Sequence, residues 1–164
     1  MILDKKNLKK IICFMLFSML LLGCGSLVNH SGKPFITQNE QKKWNILCGK
    51  WYGHSIVTGN KKREWLNERK NDGTYTIYFK TIDEEGNVEV QIEIGEWGIS
   101  GDIYFSIFKK GIVDGKSFTG TSTDPYNRDA YKILKLDENE FVYKHIKFKD
   151  IFVTKKVSND FELK

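Results

Sequence analysis

The stretch Val-Glu-Val-Gln-Ile-Glu-Ile, residues 88–94, alternates strictly between apolar and polar side chains. A period of two is typical of a β-strand, because successive side chains point to opposite faces of a sheet. One face of this strand carries Val88, Val90, Ile92 and Ile94, and the other carries Glu89, Gln91 and Glu93. The pattern predicts a half-buried antiparallel strand with its aliphatic face against the core.

Turn signals on both sides of this stretch divide most of the chain into short strands. Asn-Asp-Gly at 71–73, Glu-Glu-Gly-Asn at 84–87 and Ser-Gly-Asp at 100–102 are typical of tight connections. We predict eight strands, at residues 50–57, 61–70, 74–82, 88–99, 102–109, 129–136, 140–147 and 150–157. Consecutive hairpins predict an all-β fold, an eight-stranded antiparallel up-and-down barrel. We expect the long connection at 110–128 to be a loop at the barrel mouth.

A short helix is predicted just before the first strand. Thr37 and Glu40 have the spacing of a capping box, and Gly49 is a typical helix end. The helix leads into Gly49-Lys50-Trp51, which resembles the Gly-x-Trp signature of lipocalins and of the wider calycin superfamily. The resemblance extends in pattern over residues 44–157. It implies that Trp51 packs across the closed end of the barrel.

The chain departs from the lipocalin pattern in two places. Lipocalins usually carry Thr-Asp-Tyr between the sixth and seventh strands, whereas the nearest match here is Asp129-x-Tyr131, at the start of the predicted sixth strand. They also carry an arginine at the end of the last strand, stacked on the tryptophan, where this chain has Lys155-Lys156. The resemblance is therefore to a divergent bacterial lipocalin-like protein, whose ligand binding has to be argued from its own residues.

The first residues resemble the signal peptide of a bacterial lipoprotein. Four lysines at positions 5, 6, 9 and 10 precede an apolar stretch at 11–22, which has the length of a signal-peptide core. Leu21-Leu22-Gly23-Cys24 then resembles a lipobox. The resemblance implies a signal peptide at 1–23, lipidation of Cys24, a tether at 24–36 and a barrel domain at 37–164. Gly25 follows the cysteine, which favours the periplasmic face of the outer membrane.

Charge and motifs argue against several functional classes. Residues 1–23 hold four lysines and one aspartate, so the remaining chain has 22 basic and 20 acidic residues and a net charge of +2. We therefore expect no nucleic-acid partner. His30, His54 and His145 are scattered without further ligands at metal-binding spacing, and Cys48 fits a buried core thiol. We expect no metal, no cofactor, no catalytic residues and no enzymatic activity.

The hairpin of residues 61–70 and 74–82 carries polar side chains where a barrel strand would face the core. A three-residue turn at 71–73 would pair Arg69 with Tyr75, Asn67 with Ile77 and Trp65 with Phe79. A two-residue turn at Asp72-Gly73 is the alternative, and it would turn Leu66 and Glu68 inward. We favour the first register because it buries Trp65.

This register leads to a further expectation about the next strand. A four-residue turn at 84–87 would place Ile92 beside Phe79 and Glu96 beside Tyr75. We therefore expect Arg69, Tyr75 and Glu96 to form a buried structural cluster, in which Arg69 and Glu96 form an ion pair.

Two functional hypotheses follow. In the first, the anchored barrel binds a small apolar or amphipathic ligand. The candidate wall residues are Trp65, Phe79, Ile92, Phe105 and Tyr143. In the second, the barrel is filled by its own aromatic side chains and the protein serves as a structural or protein-interaction lipoprotein of the envelope.

Overall fold

The computed structural model describes residues 37–121 and 123–163. The predicted signal peptide at 1–23, the tether at 24–36 and Cys24 lie outside the described residues. Within the described part, none of the helices is long and apolar enough to cross a membrane.

The predicted helix is present as α1 (Gln38–Leu47). Its capping box is formed as expected: the Glu40 amide donates to Thr37 Oγ1 at 3.2 Å, and the Thr37 amide donates to Glu40 Oε2 at 3.1 Å. The chain then turns at Gly49, whose φ of +100° is readily adopted only by glycine. α1 therefore ends directly at the first strand.

Nine strands follow within the described residues. They are β1 (Gly49–Val57), β2 (Lys61–Arg69), β3 (Thr74–Ile82), β4 (Val88–Ser100), β5 (Ile103–Val113), β6 (Lys116–Thr119), β7 (Arg128–Leu136), β8 (Glu140–His145) and β9 (Ile151–Lys156). The sheet runs in the order β4-β3-β2-β1-β9-β8-β7-β5-β6, and β4 also pairs with β5. That last pairing closes β1–β5 and β7–β9 into the predicted eight-stranded antiparallel barrel, a lipocalin-like fold.

The expectation of a plain loop at 110–128 is wrong in part. β5 continues to Val113, and β6 folds back on it with Gly111 opposite Phe118. A turn of 3-10 helix at Pro125–Asn127 precedes β7. This connection lies at the same end of the barrel as the loops 58–60, 83–87 and 146–150, and α1 lies at the other end. The barrel thus has an open end and an end closed by the helix.

The register of the β2–β3 hairpin is the favoured one. Arg69 pairs with Tyr75, Asn67 with Ile77 and Trp65 with Phe79. The slipped alternative, with Leu66 and Glu68 inside, is wrong.

Leu66 is nonetheless buried on the outer face of the barrel, beside the C-terminal tail. Phe161 of this tail packs on Tyr52 at 5.5 Å between ring centroids, and the Phe161 carbonyl accepts from Lys50 Nζ at 3.0 Å. An outer groove of about 350 Å³ lies between Leu163 and the strands around Leu66.

The predicted register between β3 and β4 is wrong by one residue. Phe79 pairs with Gln91, and Ile77 with Glu93. The connection has five residues, 83–87, because the Asp83 side chain belongs to the loop: its Oδ1 accepts from the amides of Glu85 at 3.0 Å and Asn87 at 2.8 Å.

A shift of one residue exchanges the two faces of a strand. Gln91 and Glu93 therefore face the barrel interior. Val88 and Val90 lie outside, with 54% and 49% of their surface exposed. The expectation that the aliphatic face of 88–94 lies against the core is corrected accordingly.

Candidate functional site

The closed end of the barrel is sealed around Trp51. This residue is fully buried, and its indole Nε1 donates to the Leu47 carbonyl at 2.8 Å, which ties α1 to the first strand. Lys156 Nζ lies 4.7 Å from the centre of the Trp51 ring and donates to the carbonyl oxygens of Ile46, at 2.7 Å, and Cys48. Burial lowers the pKa of Lys156 from its usual value. Gly49 and Trp51 thus occupy the positions that the Gly-x-Trp signature implies.

Arg69 is a buried cation at this closed end, but its predicted partner is wrong. Its Nε and Nη2 donate to the hydroxyl of Tyr104 at 3.3 and 3.2 Å, and its guanidinium carbon lies 4.8 Å from the Tyr104 ring centre and 5.3 Å from that of Phe141. Glu96 is on the outer face, where it pairs with Lys109 at 3.1 Å. Arg69 is therefore held by aromatic faces and a phenol, while Tyr75 is its buried neighbour across the hairpin.

Two buried polar atoms on β2 have no hydrogen-bond partner among the described residues. They are Asn67 Oδ1 and Arg69 Nη1. Asn67 and Arg69 are two positions apart on the inward face of the strand. An unpaired buried polar group is costly, and both atoms belong to side chains that point into the barrel.

Aromatic side chains fill the interior next to Arg69. The Phe141 and Tyr143 rings stack at 4.4 Å, and Tyr143 and Phe152 stack at 5.2 Å. Trp65 lies flat on Gly53, where a Cβ atom would come within 2.3 Å of the indole. Only glycine leaves room for this ring, so the Trp65 indole packs directly on the backbone of Gly53.

The open half of the interior is polar instead. Glu93 accepts from Gln91 Nε2 at 2.9 Å. Burial raises the pKa of Glu93, the negative charge of Asp129 raises it further, and the positive charge of Arg63 opposes both. Arg63 Nε donates to Thr81 Oγ1 at 3.2 Å. Two carboxylates and one guanidinium therefore act on the same interior space.

The charges of the open half also act on two tyrosines. Burial raises the pKa of Tyr75 and of Tyr131, and the charge of Asp129 raises both further. Glu93 also acts on Tyr75. The open half thus combines inward-facing polar side chains with the ring of Phe79, and its charges act on two phenols.

His145 fastens one side of the mouth. Its Nδ1 accepts from the amides of Lys147 and Phe148, each at 3.0 Å, so the ring proton is on Nε2, which faces Asp129 Oδ1 at 3.1 Å. These contacts tie the loop after β8 to the start of β7.

The predicted wall residues divide between the two faces of the barrel. Trp65, Phe79 and Tyr143 face the interior. Ile92 lies outside because Gln91 takes the inward position opposite Phe79. Phe105 lies outside because Tyr104 faces the core, and its ring covers Gly98 on the outer face. Ile92 and Phe105 are thereby removed from the candidate site.

Sequence reasoning missed the charged residues of the open half, which are Arg63, Glu93 and Asp129. The polarity of Gln91 and Glu93 on its own predicts that both side chains face the solvent. The signal that could have placed them inside is Asp83, four residues before Asn87 and typical of a loop-capping side chain.

The described residues contain no group of three or more His, Cys, Asp and Glu side chains that could hold a metal ion.

No family model matches the sequence, and no curated protein matches it. Among solved structures, the chain is similar to a lipocalin-like protein from Bacteroides uniformis, with 12% sequence identity and a TM-score of 0.42. The similarity covers 68% of this chain and 99% of that one.

Proposed function

We propose that the protein is a lipid-anchored binding protein of the bacterial cell envelope, which takes a small amphipathic ligand into the open half of its barrel. The function is binding rather than catalysis. The observation that carries the proposal is the inward placement of Glu93, opposite Ile77 and next to Gln91, where the charges of Asp129 and Arg63 act on it. A barrel that needs only stability gains nothing from carboxylates turned inward, because burying a charge is costly.

The lining favours a ligand with two kinds of surface. Phe79 and Trp65 offer aromatic area, while Glu93, Gln91 and Asp129 offer hydrogen-bond acceptors and negative charge. Sites of this design combine an apolar wall with a few polar groups that fix the ligand's orientation. The ligand is therefore expected to carry hydrogen-bond donors on an apolar body.

The proposed envelope location rests on the predicted signal peptide and the two residues that follow it. The lysines at 5–10, the apolar stretch at 11–22 and the lipobox-like Leu21-Leu22-Gly23-Cys24 support an anchor on Cys24. Gly25 supports the periplasmic face of the outer membrane. Cys24→Ser is expected to yield an unprocessed or released protein, as judged by membrane fractionation, and normal processing and retention of this variant would contradict the anchor.

The second candidate is an envelope lipoprotein that binds a protein partner and no ligand. The observation that favours it is the stack of Phe141, Tyr143 and Phe152, which fills the closed half of the barrel. Native mass spectrometry of the full-length protein, purified from its host in mild detergent, separates the two candidates.

A bound ligand appears in this measurement as an added mass that is lost on activation. The added mass should decrease in Glu93→Gln and Asp129→Asn and persist in Glu89→Gln, whose side chain is exposed on the same strand. If neither the unsubstituted protein nor any of the three variants shows an added mass, the protein-interaction candidate is favoured.

A further inference from the structure

The open rim of the barrel carries an exposed apolar patch, which we define as Tyr126, Ile146 and Phe148. These side chains expose 74%, 45% and 58% of their surface. Tyr126 belongs to the 3-10 turn before β7, and the other two belong to the loop after β8. A shallow groove of about 180 Å³ joins them. Large apolar side chains that cluster in this way on a surface mark an interaction site.

The rim patch is held in place by hydrogen bonds from below. His145 Nδ1 accepts from the amides of Lys147 and Phe148, and the Asp124 carboxylate accepts from the Tyr126 amide at 2.9 Å. The Ile146 amide donates to the Ala130 carbonyl at 2.9 Å. The backbone that presents the patch is therefore already ordered, which lowers the entropy cost of an interaction.

Lysines alternate with the apolar residues of the patch. Lys147 Nζ lies 5.0 Å from the ring centres of both Tyr126 and Phe148. Lys149 Nζ folds back to the Ile146 carbonyl at 2.5 Å. Residues 144–149 contain three lysines and no acidic residue, and the acidic side chains that flank the patch are Asp124, Asp129 and Asp150.

The combination of exposed apolar side chains with lysines distinguishes a protein partner from a lipid surface. Protein–protein interfaces are depleted in lysine. At a membrane surface, aromatic and aliphatic side chains enter the headgroup region while lysine stems extend alongside them and place the amines among the phosphates. Each lysine near an anionic surface strengthens such an interaction. The patch therefore fits a lipid surface better than a protein.

We propose that the rim patch docks on an anionic phospholipid surface, as a membrane contact separate from the Cys24 anchor. The docked orientation turns the open end of the barrel towards the lipid. Only residues of the rim form this contact, so it is independent of any ligand inside the barrel.

Fluorescence quenching by brominated phospholipids tests the proposal. The full-length protein carrying Phe148→Trp is incorporated into vesicles of phosphatidylcholine and phosphatidylglycerol in which the acyl chains are brominated. A tryptophan at this position is expected to be quenched more strongly than one placed by Leu134→Trp, on an exposed residue of β7. The four natural tryptophans contribute the same background to both variants.

Reversing the charge of two rim lysines provides a second test of the proposal. Adding Lys147→Glu and Lys149→Glu to the Phe148→Trp protein changes the charge by two units at each position, so it should weaken docking by about thirtyfold for each lysine and reduce the quenching. Replacing phosphatidylglycerol by phosphatidylcholine should weaken it in the same direction. Equal quenching at positions 148 and 134, or cross-linking of position 148 to a protein in place of lipid, would overturn the proposal. Vesicle association of the protein with Lys147→Glu and Lys149→Glu, in which the rim contact is weakened, reports the Cys24 anchor separately, so the two proposals can fail independently.

Discussion

Lys156 stacks on Trp51 and binds the end of α1 at the same time. Its ammonium lies 4.7 Å from the ring centre and donates to two carbonyl oxygens in the last turn of the helix and the residue that follows it. In the lipocalin pattern an arginine occupies this place. A single lysine therefore joins the last strand, the first strand and the helix at the closed end.

Lys156→Met should destabilise the protein by about 1–3 kcal/mol, because charge-assisted hydrogen bonds to two carbonyl groups and the cation–π contact are lost. The matched control is Lys155→Met, which removes the neighbouring exposed lysine. Urea unfolding measures both. Equal effects of the two substitutions would contradict the role assigned to Lys156.

Trp51→Ala should lower the free energy of unfolding by about 3–5 kcal/mol, since the side chain is fully buried and fills the base of the barrel. Trp51→Phe keeps an aromatic ring but loses the hydrogen bond to the Leu47 carbonyl, and it should cost less. A loss below about 1 kcal/mol for Trp51→Ala would show that the closed end repacks without the indole.

Double-mutant cycles distinguish the observed partner of Arg69 from the predicted one. Arg69→Met combined with Tyr104→Phe should show a coupling energy of about 1 kcal/mol, because the phenol accepts two hydrogen bonds from the guanidinium. Arg69→Met combined with Glu96→Gln should be additive, since Glu96 lies on the outer face with Lys109. The opposite result would restore the Arg69–Glu96 pair.

Gly53→Ala should destabilise by about 1–3 kcal/mol, because its Cβ would meet the Trp65 indole. The substitution Trp65→Leu removes the obstructing ring. The double variant should therefore lose less stability than the sum of the two single variants, which denaturant unfolding can measure. Simple additivity would mean that strand β1 shifts to accommodate the methyl group.

The stability contributed by Glu93 should depend on pH. Burial and the charge of Asp129 raise the folded-state pKa of Glu93 above its usual value of 4.5. The folded protein then holds a proton that the unfolded chain has lost, so this contribution is fully present below pH 4.5 and is lost as the pH rises through the raised pKa.

The variant Glu93→Gln removes this titration. Relative to the unsubstituted protein, it should gain stability as the pH rises from about 4 to 7, in unfolding curves recorded across that range. Glu89→Gln is the control on the same strand and should show no such trend. A constant difference between Glu93→Gln and the unsubstituted protein would mean that Glu93 is solvated in the folded state.

The sequence predicts local features of this protein well. The capping box of Thr37 and Glu40 and the turn at 71–73 each involve residues close together in the chain, and their chemistry determines the structure directly. The hairpin register placed Trp65 inside correctly. Closure of the barrel also agrees with the prediction, because successive hairpins leave few other arrangements.

The interior of the open half could not be predicted in the same way. Alternation in 88–94 shows that a strand has two different faces, but it does not show which face is inside. The rule that apolar residues point inward gave the wrong answer for Ile92 and Glu93. The outer face of β4 remains partly covered, and the polar groups of the interior interact with one another, so neither face behaves as a simple core or solvent surface.

The length of the five-residue loop at 83–87 sets the register of the strand that follows it. Deletion of one residue from this loop would shift β4 by one position, so that Val90 and Ile92 would face the interior and Glu93 the solvent. The length of this loop therefore determines whether the acidic or the aliphatic face of β4 points into the barrel. Proteins with this barrel but with a loop one residue longer or shorter would be expected to have an interior of the opposite polarity along this strand, even with identical strand sequences.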